Sequence, residues 1–127
     1  MGAFVELFAG CGGLSLGLQA AGHRRRLANE LSPMAAESYA YNLLGVDLAT
    51  DRLHDGDRRV VWLRSDYDDP FDRLRLLEDP TNYGRSPWAR ELSAVDDFDG
   101  KLLVGDIRHL NEFVVTRGPL VDDVDIV

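Results

Sequence analysis

Apolar residues fall in short runs separated by glycines and polar turns, the signature of alternating strands and helices. Phe4-Val5-Glu6-Leu7-Phe8 is β-branched and aromatic and is followed at once by glycines, which predicts a buried strand. Leu14, Leu18 and Ala21 then recur at helical spacing, predicting a helix over residues 13 to 21 that stops at Gly22. Leu27-Ala28-Asn29 predicts a second strand. Ser32-Pro33 offers an N-cap followed by proline at the first helical position. Residues 34 to 44 carry the second helix, with Ala36, Tyr39, Ala40 and Leu43 on one face and Gly45 as the stop. Strand, glycine turn, helix, strand, helix is the order of a parallel, doubly wound α/β sheet.

Residues 46 to 100 interrupt that order. They are rich in Asp, Arg, Gly and Pro, yet Val60-Val61-Trp62-Leu63 predicts a strand and Trp88 to Leu92 a helical turn. Trp62, Tyr67, Phe71, Tyr83, Trp88 and Phe98 also lie here, and this aromatic content predicts an ordered insertion rather than a disordered one. Alternation resumes with Leu102-Leu103-Val104, a third strand of the main sheet ending at Gly105-Asp106-Ile107. Residues 110 to 115 predict a helix, and Val124-Asp125-Ile126-Val127 the start of a fourth strand. A chain that stops inside an apolar strand reads as unfinished.

Composition narrows the class. The 127 residues, 45% hydrophobic and 28% charged, suit one globular domain and not a disordered tail. The net charge is -8, and residues 51 to 100 hold 8 basic against 13 acidic side chains, so the acidity is concentrated in the insertion. That balance argues against a stand-alone nucleic-acid binder, which needs a basic face. No apolar run approaches the roughly 18 residues of a membrane span and no signal peptide opens the chain, so a cytoplasmic protein is expected. Cys11 is the only cysteine, which excludes an internal disulfide and a cysteine-based zinc site. His23, His54 and His109 have no metal-ligand spacing, and no metal is expected.

The candidate chemistry lies at the first turn. Phe8-Ala9-Gly10-Cys11-Gly12-Gly13 joins a strand to a helix, where glycines permit a sharp turn and a close ligand, and helix N-terminal amides can hold an anion. Glu30 follows Gly10 by 20 residues at the end of the second strand, a place where an acid accepts from ribose hydroxyls. The same pattern also describes a tight turn with an acid near a helix start. Asp106 likewise has two roles open to it, ligand acceptor or cap of the following helix. Arg24-Arg25-Arg26, the only basic cluster, reads as a solvated strand edge. The spacing is that of a site for a nucleoside-bearing cofactor, and it does not separate a dinucleotide from S-adenosylmethionine.

Val5-Glu6-Leu7-Phe8-Ala9-Gly10-Cys11-Gly12-Gly13-Leu14, Ala28-Asn29-Glu30 and Gly105-Asp106-Ile107 closely resemble the first three motifs of the DNA cytosine-5 methyltransferase family. The resemblance covers residues 4 to 44 and 101 to 127, but not 46 to 100. It implies a Rossmann-like class I S-adenosylmethionine-dependent methyltransferase fold, in which residues 1 to 127 form a partial cofactor-binding domain with an acidic insertion. It further implies that Phe8 packs against the adenine and that the backbone of Ala9, Gly10, Cys11, Gly12 and Gly13 wraps the methionine portion. Glu30 would bind the ribose hydroxyls, Leu31 would cover an adenine face, Asp106 would accept from the adenine amine, and the Ile107 amide would point at the ring.

The family's reaction uses a cysteine thiolate, in a Pro-Cys motif after the fourth strand, that adds to C6 of a flipped cytosine. No Pro-Cys pair occurs in this sequence. Cys11, at the variable position of the glycine loop, is expected to be a packing residue and not the nucleophile. Three readings follow: a cofactor-binding half completed by a second, DNA-reading chain; a fragment of one longer enzyme; or a non-catalytic Rossmann-like nucleotide-binding module.

Overall fold

The computed structural model describes residues 1–48, 59–63 and 97–127. β1 (Ala3–Leu7) leads through the glycine loop into α1 (Gly13–Ala20), then β2 (Arg24–Glu30) and α2 (Pro33–Tyr39), which widens into a π-helical turn at Ala40–Leu44. β3 (Val60–Trp62), β4 (Lys101–Val104) and α3 (Ile107–Arg117) follow. The strands form one parallel sheet in the order β1-β2-β4-β3. Beyond β1, Phe4 makes a single parallel bridge with Ile126.

Side chains alternate across this sheet as a pleated strand requires. On one face Ala28, Leu102, Val104, Val60 and Trp62 pack against Ala36, Tyr39 and Ala40 of α2 and its π-helical turn. On the other, Leu27, Leu103 and Val61 pack with Leu110 of α3 and with Phe98. Phe98 meets Phe113 edge-on at 6.0 Å between ring centroids. Helices therefore cover both faces, as an all-parallel sheet demands. The expected α/β architecture is present.

Several boundaries moved for physical reasons. β2 begins at Arg24, which pairs with Ala3 of β1, and the guanidinium heads of Arg24 and Arg26 reach Asp99 at 3.3 and 2.7 Å, with Arg26 at the irregularity where the register shifts between Phe4 and Val5. The arginine run is thus part of a strand that anchors the turn before β4, and not merely a solvated edge. α2 starts as expected, with Ser32 Oγ accepting from the Ala35 amide and Pro33 in the first turn. α3 is longer than residues 110 to 115 because Asp106 caps it directly after β4. Val60–Trp62, expected inside the insertion, joins the main sheet as the strand beside β4. The expected Trp88 to Leu92 turn lies outside the described residues, as does most of the insertion. The expected strand at 124–127 contributes only the Ile126 bridge. Asp125 there turns its carboxylate back to accept from the Ala3 amide at 2.6 Å, and its own amide donates to the Ala3 carbonyl at 2.8 Å.

Gly105 closes β4 with φ 147, and a Cβ there would fall 2.6 Å from Leu63 Cβ. Gly105→Ala forces both a strained backbone and a shift of a buried leucine, and is expected to cost about 1 to 3 kcal/mol. Urea unfolding checks this; an unchanged midpoint would show that Leu63 yields freely.

Candidate functional site

The carboxyl ends of β1, β2 and β4 lie side by side, with Leu7 opposite Asn29 and Glu30 opposite Val104. The loops that leave them therefore converge on one edge of the sheet, the edge at which open α/β sheets take ligands. All three sequence-predicted clusters (8 to 13, 30 to 31, 106 to 107) stand on this edge.

The glycine loop is sharply bent. Phe8, Gly10 and Gly12 have φ of 57, 55 and 90. A non-glycine residue in the left-handed region costs about 1 to 2 kcal/mol, so Phe8 is held there by its surroundings. Its amide neighbour Ala9 is buried and donates to the Asn29 carbonyl at 2.9 Å. The Phe8 ring itself stands out of the loop, 73% exposed. A Cβ on Gly12 would fall 2.2 Å from Leu43 Cδ1 and 2.9 Å from Tyr39 Cδ2, so only glycine lets the loop lie this close to α2. Gly10 has nothing within 4 Å of its Cβ direction, which leaves the outer side of the loop open to a ligand. Gly13 opens α1 from an exposed position.

Cys11 is exposed, which corrects its reading as a packing residue. The left-handed glycines on either side turn its side chain outward. Its backbone still belongs to the loop.

Glu30 is 9% exposed and uses both carboxylate oxygens locally. Oε2 accepts from the Gly10 amide at 2.6 Å, and Oε1 from the Ser32 amide at 2.7 Å. The carboxylate braces the glycine loop against the start of α2. A carboxylate oxygen can accept more than one hydrogen bond, so bracing does not by itself exclude ligand binding. Asn29, missed as a site residue, is 1% exposed and donates to the carbonyls of Leu103 and Gly105 at 2.9 and 3.1 Å. The Gly105 amide returns a bond to the Glu30 carbonyl at 2.9 Å. Leu31 is half-buried beside them.

Asp106 caps α3. Its Oδ1 accepts from the Arg108 amide at 2.8 Å, and Oδ2 accepts from the Arg108 guanidinium. The Arg108 side-chain bond holds the Asp106 carboxyl below its ordinary value; partial burial opposes this, and the amide bond adds to it. Ile107 is half-buried against the second core cluster. His23 is not a free surface group, since its Nδ1 accepts from the Gly2 amide at 3.1 Å. Among the described residues no three potential metal ligands stand together, and no helix is long and apolar enough to cross a membrane.

Comparison with known proteins bears on this edge. The model of the C-5 cytosine-specific DNA methylase family matches residues 2–72, more than half of the chain. The match takes in the glycine loop, Glu30 and β3, and stops short of Asp106. No curated protein and no solved structure matches the chain.

Asp106→Ala removes the α3 cap and is expected to cost about 0.5 to 2 kcal/mol at neutral pH. Because the folded carboxyl is held low, its stabilisation is complete above the ordinary carboxylate value of about 4. It is lost as pH falls below that value, so the gap between parent and variant narrows in acid. Thermal melts at pH 7 and pH 3 check this; a gap that is constant with pH would detach it from ionisation.

Proposed function

The chain belongs to the C-5 cytosine-specific DNA methylase family, and on that premise we propose that it is the S-adenosylmethionine-binding portion of a DNA (cytosine-5-)-methyltransferase, built on a Rossmann-like class I methyltransferase fold. The observation that carries this reading is the convergence of the glycine loop, Glu30 and Asp106 on one sheet edge, with Gly12 leaving no room for a side chain. The residues present fit the cofactor. Phe8, already exposed, and Leu31 flank the adenine. The backbone from Ala9 through Cys11 to Gly13 wraps the methionine portion, whose carboxylate meets the amides at the start of α1. Glu30 accepts from the ribose hydroxyls through its remaining lone pairs. Asp106 accepts from the adenine amine and the Ile107 amide faces the ring.

When bound, S-adenosylmethionine supplies an electrophilic methyl group on a sulfonium. The residues of this chain bind and orient it, and none acts as the nucleophile. Cys11 is preceded by Gly10 and lies in the cofactor loop. Attack on cytosine C6 therefore draws on a Pro-Cys thiolate outside these 127 residues, in a second chain or elsewhere in a longer enzyme. DNA contact belongs to that same region, which relieves a chain of net charge -8 of binding phosphates. We place the protein in the cytoplasm with its DNA.

A second reading, a non-catalytic nucleotide-binding module, is favoured by one observation: the sequence holds no Pro-Cys pair. Both readings require a ligand at this edge, which a variant of Glu30 tests. Glu30→Ala is expected to lower S-adenosylmethionine affinity about 10- to 150-fold, the loss of a charge-assisted bond worth about 1.5 to 3 kcal/mol. Calorimetric titration at a temperature where both proteins are folded measures it, and equal affinities would remove Glu30 from the site. The chain alone is expected to transfer no methyl group to DNA. Labelled cofactor incubated with cytosine-containing duplex tests that, and label recovered in the DNA would overturn it.

A further inference from the structure

Beneath the glycine loop lies a polar cluster that the cofactor reading leaves unused. Glu6, on β1, is 5% exposed. A buried carboxylate is costly unless hydrogen bonds and charge compensate it. Among the described residues its hydrogen-bond partner is the Ser15 hydroxyl, which donates to Oε2. Ser15 sits fully buried in the first turn of α1, and its Oγ lies 2.6 Å from the Tyr39 hydroxyl on α2. The Arg25 guanidinium, from β2, donates to that hydroxyl at 3.3 Å and lies over the Tyr39 ring at 5.5 Å.

Proton counting gives this cluster a direction. Ser15 has one proton and gives it to Glu6, so Tyr39 donates to Ser15. Arg25 has no lone pair to offer and donates to Tyr39. Every link runs from the guanidinium towards the carboxylate. Two hydroxyls thus relay the pairing of charges that make no direct ion pair among the described residues, and such chains strengthen each member. Burial, opposed by the bond that Tyr39 donates to Ser15 and by the nearby Arg25 charge, holds the Tyr39 phenol above its ordinary value. The phenol therefore keeps the proton the relay needs.

Two members of the relay also touch the loop. Tyr39 is the floor on which Gly12 rests, and Ser15 lies in the first turn of α1, where the loop ends. We propose that Glu6, Ser15, Tyr39 and Arg25 are positioning residues: their relay sets the height of Gly12 and the start of α1, and through them the backbone amides offered to the cofactor. Glu30 holds the outer limb of the loop through Gly10, and the relay holds the inner limb. The inference rests on the cofactor reading for its functional consequence, but not for its structural one.

The test uses the full chain with Tyr39→Phe, which keeps the ring and loses the hydroxyl, and separately Ser15→Ala. Amide hydrogen exchange is followed at Gly12 and Leu16, whose amides bond to Ala9 and Gly12 carbonyls. Both variants are expected to exchange about tenfold faster at these amides, while Leu102 and Leu103 of β4 keep the parent rate. S-adenosylmethionine affinity is expected to fall about tenfold in each, and the double variant to fall no further, because both changes cut one relay. Parent exchange rates at Gly12 and Leu16 in both variants overturn the proposal whatever the cofactor does. So does acceleration that extends equally to β4, which marks general destabilisation. Faster loop exchange in a protein whose parent form binds no S-adenosylmethionine supports the positioning role and refutes the cofactor reading instead.

Discussion

Two consecutive residues at the end of β2 hold the functional edge together. The Asn29 side chain ties β2 to the last carbonyls of β4, and its own carbonyl receives the Ala9 amide. The Glu30 carboxylate receives the Gly10 and Ser32 amides, and its carbonyl the Gly105 amide. Both side chains are buried, so each hydrogen bond lost would strand a polar group away from water at a cost of about 1 to 3 kcal/mol. This makes the three loops one unit. The bend at Phe8, the open side of Gly10 and the tight close of Gly105 all depend on it.

The alternation of strands and helices was legible because it rests on local periodicity. Phe4 and Glu6 alternate with Val5 across β1, and Ser32-Pro33 marks the start of α2 by chemistry that needs no tertiary context. Partners in space were not legible in the same way. Nothing local distinguishes Val60–Trp62 as a strand of the main sheet from a strand within an insertion; β4, forty residues away, decides it. Nor does an arginine run announce that Asp99 awaits it.

The site divides along the same line. Glycine spacing and the offset of Glu30 identified the loop and the acid, since both obey geometry along one βαβ unit. The two roles open to Asp106 were stated by sequence alone, and the cap is the one the fold displays. Helical spacing places Tyr39 on an apolar face, and nothing in that spacing shows that its hydroxyl is the centre of the relay. Glu6, Ser15, Tyr39 and Arg25 come from four elements, and no motif spans them. An acid at the centre of an otherwise apolar strand is the one hint in the sequence that something polar has to answer it.

The proposed S-adenosylmethionine site draws on all three loops at once. Titrating the isotope-labelled chain with S-adenosylmethionine and following backbone amide shifts tests it most directly. Saturable shifts are expected at Phe8 to Gly13, Glu30, Leu31, Asp106 and Ile107, moving with one common dissociation constant. Shifts absent at millimolar cofactor, or centred on the far end of α3 around Arg117, would contradict it.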